Sequence, residues 1–198
     1  MPMLIDLNSE KFRDPWRPAS LALGILYFFA FGGRLPRFYK VGLVHQSRDW
    51  RNLWFMLDGR RAAHCRAFRS DTKILLPWSF AFISPSHHWL WYAERRIKQY
   101  IRDQKAWARP VGVSGYTETF AAHLMEHVIA VVESAKGEVL TGTAPPRFNL
   151  AWPVSAKGLM TKPLAIDQVQ TLLTMPASRL PTTVEGFVRA VRDLDRPS

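Results

Sequence analysis

Leu21-Ala22-Leu23-Gly24-Ile25-Leu26-Tyr27-Phe28-Phe29-Ala30-Phe31 is the longest apolar run of the chain, 11 residues without a charge. Crossing a bilayer as a helix takes about 20 such residues, so the run reads as a core element and not as an anchor. With Pro18 near its start and Gly32-Gly33 as a stop signal, it predicts an apolar helix over residues 18–30. The chain around it has 198 residues and 47% apolar content, enough to close a core without disulfides or metal. Its single cysteine, Cys65, rules out an internal disulfide framework and fits a reducing, cytoplasmic setting. Asp6, Glu10 and Asp14 stand where a secretory leader would be positive, so no leader is expected.

The net charge of +11 is concentrated in one place. Residues 1–33 and 110–198 are each balanced, while residues 34–109 hold 16 basic groups against five acidic ones. Charge confined to one stretch makes a directed field that attracts a polyanion, and a preference for arginine over lysine suits bidentate phosphate contacts better than a lipid surface. Nucleic acid, either RNA or duplex DNA, is therefore the expected partner, with no membrane.

Downstream of the apolar run, residues 38–45 and 50–57 have aromatic and β-branched character, although Asp49 to Trp54 fits a helical turn equally well. Ser79 to Ser84, a turn at Pro85 to His88, and Trp89 to Tyr92 predict a β-hairpin. Residues 94–109 predict an amphipathic helix. At 100° per residue from Arg95, the groups Lys98, Arg102, Lys105 and Arg109 fall between about 280° and 340°, with Ile97, Tyr100, Ile101, Trp107 and Ala108 opposite. That stripe holds no acid of its own, which favours phosphate contact over a solvated face. Trp89, Trp91 and Tyr92, beside His87 and His88, are candidates for base stacking. The expected nucleic-acid-binding set is Arg34, Arg37, Lys40, Arg48, Arg51, Arg60, Arg61, Arg66, Arg69, Lys73, His87, His88, Trp89, Arg95, Arg96, Lys98, Arg102, Lys105 and Arg109.

One pattern points to chemistry. His123-Leu124-Met125-Glu126-His127 is H-x-x-E-H, in which two imidazoles one helical turn apart can hold zinc while Glu126 acts as base. No third ligand stands near it in sequence, and no phosphate loop, nucleophile elbow or acidic metal cluster occurs elsewhere. The expectation is a non-enzyme without cofactor or bound metal, with a zinc metallohydrolase on His123, His127 and Glu126 as the alternative. Towards the C-terminus, residues 144–153 read as a connector, and Asp167 to Thr174 and Thr182 to Leu194 as helices. Thr182 and Glu185 form a capping-box signature for the second.

Phe28 to Pro36, Ser47-Arg48-Asp49-Trp50, Cys65 to Phe68 and Ser84 to Trp89 carry a family resemblance. Over residues 19–92 the chain resembles the large-subunit-like protein of type IV CRISPR effector complexes. In that family an apolar helix leads to a Cys-x2-Cys knuckle, an aromatic Asp-Trp segment, a second Cys-x2-Cys and an aromatic hairpin. Three of the four ligand positions are here Phe28, Phe31 and Phe68, and only Cys65 remains, so the finger is expected to be zinc-free. The resemblance implies a non-catalytic subunit of a guide-RNA ribonucleoprotein, assembled with other subunits and touching the RNA 5′ handle and the duplex motif beside the target. An RNA- or DNA-binding accessory protein of plasmid or phage replication or conjugation stays open beside it. The expected fold is α+β, mainly helical with a small antiparallel hairpin or sheet, in a single compact domain with C-terminal helices. Residues 1–110 would form the basic region with the degenerate finger and hairpin, and residues 111–198 a helical region.

Overall fold

The computed structural model describes residues 21–67, 73–85, 87–108, 118–145 and 163–194, the side chains of His87 and His88 apart. The fold is α+β, with an antiparallel sheet between two layers of helices. In chain order the strands and helices are β1 (Leu23–Gly32), β2 (Pro36–Ser47), α1 (Trp50–Ala67), β3 (Lys73–Ile74), β4 (Phe80–Ser84), α2 (His87–Asp103), β5 (Thr119–Ala121), α3 (Met125–Thr141), β6 (Leu164–Ala165), α4 (Ile166–Leu173) and α5 (Val184–Asp193). The strand order is β5-β2-β1-β4-β6, and β3 pairs with the far end of β1.

The apolar run is thus the central strand and not the expected helix. Every residue of β1 is buried, since helices cover both faces of the sheet, so the run lacks the polar alternation that marks a half-exposed strand. Its odd members, Ile25, Tyr27, Phe29 and Phe31, face one core with Trp50, Leu53 and Leu57 of α1, Val169 and Leu173 of α4, and Phe187 and Val191 of α5. The even members, Leu26, Phe28 and Ala30, face a second core with Trp89, Ile97 and Ile101 of α2 and Val128, Val132 and Ala135 of α3. Both cores thus hang on opposite faces of one strand, and β5 and β6 complete its sheet. A division at residue 110 cuts across both cores.

The expected hairpin at 79–92 is half realised. Phe80–Ser84 is a strand, but Trp89 to Tyr92 belong to α2. The buried Trp89, Tyr92, Ala93, Ile97 and Ile101 recur at helical spacing, which extends the apolar stripe of residues 94–109 backwards by two turns. Trp89 is fully buried and its Nε1 donates to Ser84 Oγ at 2.9 Å, so it is a core anchor and no stacking platform. The helix also stops earlier than expected. Lys105 adopts a left-handed φ of 50°, Ala106 N–H returns to Ile101 O at 2.9 Å, and Trp107 pairs with Phe120 as an isolated bridge.

Asp49 caps α1, accepting from Asn52 N–H at 3.1 Å, which makes residues 50–67 a helix where the sequence left the choice open. The α5 cap is Thr183, one residue beyond the expected Thr182, and accepts from Gly186 N–H at 3.1 Å. No helix among the described residues is long and apolar enough to cross a membrane.

Candidate nucleic-acid interface

Two members of the basic stripe expected on α2, Lys98 and Arg102, face acids, as does Arg96 beside it. Lys98 Nζ lies 3.2 Å from Glu94 and 2.8 Å from Glu118, Arg96 lies 2.8 Å from Glu138, and Arg102 lies 3.5 Å from Asp103. Burial alone would depress the Lys98 ammonium, but the bonds to Glu118 and Glu94 outweigh it and raise its pKa. Glu94 and Asp103 lie off the angular stripe but within reach of its side chains, and Glu118 and Glu138 arrive from elsewhere in the fold. At Lys98 the stripe is therefore part of a structural ion-pair network. Lys105 lies beyond the helix, and Arg109 falls outside the described residues. Arg95 sits over the exposed Trp91 ring at 5.9 Å.

Lys40 is removed from the surface as well. It is 5% exposed on β2 and pairs with Glu118. Glu118 thereby joins Lys40 to Lys98; burial would raise its carboxyl, but the two ammonium groups hold it below its ordinary value. Beside Lys40, Tyr27 Oη and His64 Nε2 are hydrogen-bonded at 3.2 Å. Burial first, then the charges of Lys40 and Arg60, push His64 down to about 4, and burial raises the Tyr27 phenol. The Tyr27 ring lies directly over Gly42 of β2, where a Cβ would collide with it.

The remaining cations lie elsewhere. Arg51, Arg60 and Arg66 are exposed along α1, with no acidic partner among the described residues, and the one acid of that helix, Asp58, is held by Arg61 at 2.7 Å. Phe55, which sequence reasoning passed over, projects from the same helix with 70% of its surface exposed, and Met56 beside it is exposed too. The signal was angular, because Phe55 falls opposite the side that carries Leu53 and Leu57. The helix runs along β1 in the same direction. Its Trp50 Nε1 donates to Leu21 O at 2.7 Å, His64 reaches Tyr27 and Phe29, and the helix packs against β3. That end of the sheet holds the β1–β2 turn with exposed Arg34 and Arg37, and Lys73 of β3 pairs with Gly32 beside it. Arg48 is exposed just ahead of α1. Arg69 lies outside the described residues, as do the His87 and His88 side chains.

Next to the β1–β2 turn, on the α2–α3 side of the sheet, lies an open groove of about 740 Å³ lined by Leu35, Tyr39, Trp78, Phe80, His123 and Glu126 among others. The H-x-x-E-H segment thus borders a groove. It is not one continuous helix, since Ala122–Leu124 is a 3-10 turn and α3 begins at Met125. His123, Glu126 and His127 are exposed, and no group of three metal-ligating side chains occurs among the described residues. Of the finger positions, Phe28 and Phe31 face opposite cores from β1, Cys65 is exposed on α1 and Phe68 is outside the described residues. Comparison with family models, curated proteins and solved structures returned no match for this chain.

Proposed function

We propose that this protein binds nucleic acid without catalysing a reaction, through a surface that runs along α1 to the β1–β2 turn. The observation that carries this reading is the partition of charge. Arg96, Lys98 and Arg102 of α2 face acids, whereas Arg51, Arg60 and Arg66 on α1, with Arg34, Arg37 and Lys73 at its far end, have no acidic partner among the described residues. Unopposed like charges cost a fold some self-repulsion, and a polyanion relieves it. Arg51 to Arg66 spans about 22 Å of helix, the length of roughly six stacked nucleotides. Exposed Phe55 between them offers a base an aromatic face. A subunit of a type IV CRISPR ribonucleoprotein is a narrower form of this proposal, supported by the sequence resemblance.

Fluorescence anisotropy with labelled single-stranded RNA, single-stranded DNA and duplex DNA over a salt series tests the reading. Replacing Arg51, Arg60 and Arg66 together with Gln should weaken binding across sequences. The slope of log affinity against log salt should become shallower by about two to three, one increment of 0.7–0.9 per lost phosphate contact. Replacing Arg189 and Arg192 on α5 should leave both quantities unchanged. If the triple variant binds like the wild type, α1 is a solvated helix and the proposal fails.

A further inference from the structure

The groove beside the β1–β2 turn has the chemistry of a site for an unpaired base. Its aromatic wall is Trp78, 49% exposed, with Tyr39 and Phe80 behind it and Leu35, 65% exposed, at its mouth. Exposed indole is costly in water, and the backbone that carries this one is anchored. Trp78 ends the 3-10 turn Leu76–Trp78, which contains Pro77, and the next residue, Ser79, fastens that turn to the central strand. Ser79 Oγ accepts from Ala30 N–H at 3.0 Å and donates to Leu75 O at 2.9 Å. A platform whose backbone is anchored beforehand loses less entropy when a ligand stacks on it.

The charges around the groove specify the ligand further. Arg34, Arg37 and Lys73 stand at the turn beside it, exposed and without acidic partners among the described residues. Arg37 has the parity of Tyr39 on β2, so it shares the sheet face of the groove. The lining itself carries Glu126, whose carboxylate disfavours a phosphate inside, and His123. A cationic rim around an aromatic slot with one internal carboxylate matches a neutral base inserted between two phosphates that stay outside. The volume of about 740 Å³ leaves room for a nucleotide and lies within the ~300–1,000 Å³ range of small-ligand sites.

We infer that this groove takes an unstacked nucleobase of a single strand whose backbone continues onto α1, with Trp78 as the stacking face. This inference rests on the nucleic-acid proposal and is tested apart from it.

The test uses the full chain, a labelled 12-nucleotide single strand and a strand of equal length made of abasic residues. Trp78→Ala should weaken binding of the base-containing strand roughly 5- to 150-fold, the range of one lost base–aromatic stack, and leave the abasic strand unaffected. Trp78→Phe, which keeps a stacking face, should restore most of the affinity. A 5-iodouracil strand should crosslink at the Trp78 segment. Equal losses for both strands would show that Trp78 does not hold a base and would overturn the inference. An unchanged Trp78→Ala variant beside a weakened Arg51/Arg60/Arg66 variant would overturn the groove while leaving the α1 surface standing. If neither variant weakens binding, both fall.

Discussion

Acidification from pH 7 to 5 should destabilise the fold through one imidazole. His64 is held neutral against Tyr27, with burial first and the Lys40 and Arg60 charges next pushing its pKa to about 4, while Glu118 pulls the other way. In the unfolded chain the ring binds its proton near 6.5. Between those two values the unfolded state holds more protons, so stability falls as pH falls. The contribution is complete above about 6.5 and exhausted below about 4. A shift of about 2.5 units at 1.36 kcal/mol each sets a ceiling of roughly 3 kcal/mol. Solvent reaches part of the ring, so about 1–2 kcal/mol should be lost by pH 5. Glu118, whose carboxyl is held low, adds its own loss only below the ordinary carboxylate range, which leaves pH 5–6.5 to His64. Urea denaturation at half-unit intervals measures the slope. His64→Gln keeps a neutral hydrogen-bonding group facing Tyr27 and should flatten the curve in that window; identical slopes for the two proteins would refute the assignment.

Gly42→Ala should cost about 1–3 kcal/mol in denaturant midpoint analysis, because the new methyl meets the Tyr27 ring inside a closed core; a loss below about 0.5 kcal/mol would mean the ring can move aside. Trp89→Phe should cost about 1–2 kcal/mol through the lost bond to Ser84 and the smaller ring, with nucleic-acid affinity unchanged; a drop in affinity at full stability would return Trp89 to the interface.

The α+β class and the location of the charge were legible in the sequence, because composition and helical spacing are local quantities. Residues 94–103 appeared as a helix because one face of it meets water. The run Leu21 to Phe31 misled because a strand covered on both sides loses its alternation, and without alternation helix and strand look alike. Trp89 to Tyr92 misled because aromatic content suggested a strand, whereas the decisive spacing appears only when Trp89 is read together with Ile97 and Ile101. The proposed interface leans on α1 and not on the α2 stripe for a nonlocal reason. Glu118 and Glu138 are distant in sequence from Lys98 and Arg96, and only the packing of α2 against α3 and against β2, on which β5 pairs, brings them together. Glu94, four residues before Lys98, was within reach of a sequence-based pairing rule and was overlooked.

The sheet also limits the ways a second chain can join it. A partner that adds a strand needs a long run of open backbone at an edge. One edge here is β5, three residues long. Its outer side is already occupied by the chain at 107–108, through the Trp107–Phe120 bridge, the Ala108 N–H to Thr119 O bond and the Thr119 hydroxyl donating to Ala108 O. The other edge is β6, two residues that turn at once into α4. Among the described residues, neither of these two short strands offers enough backbone to template a neighbour, which at these positions favours helix surfaces and the loops at the sheet ends over strand addition as the place of contact.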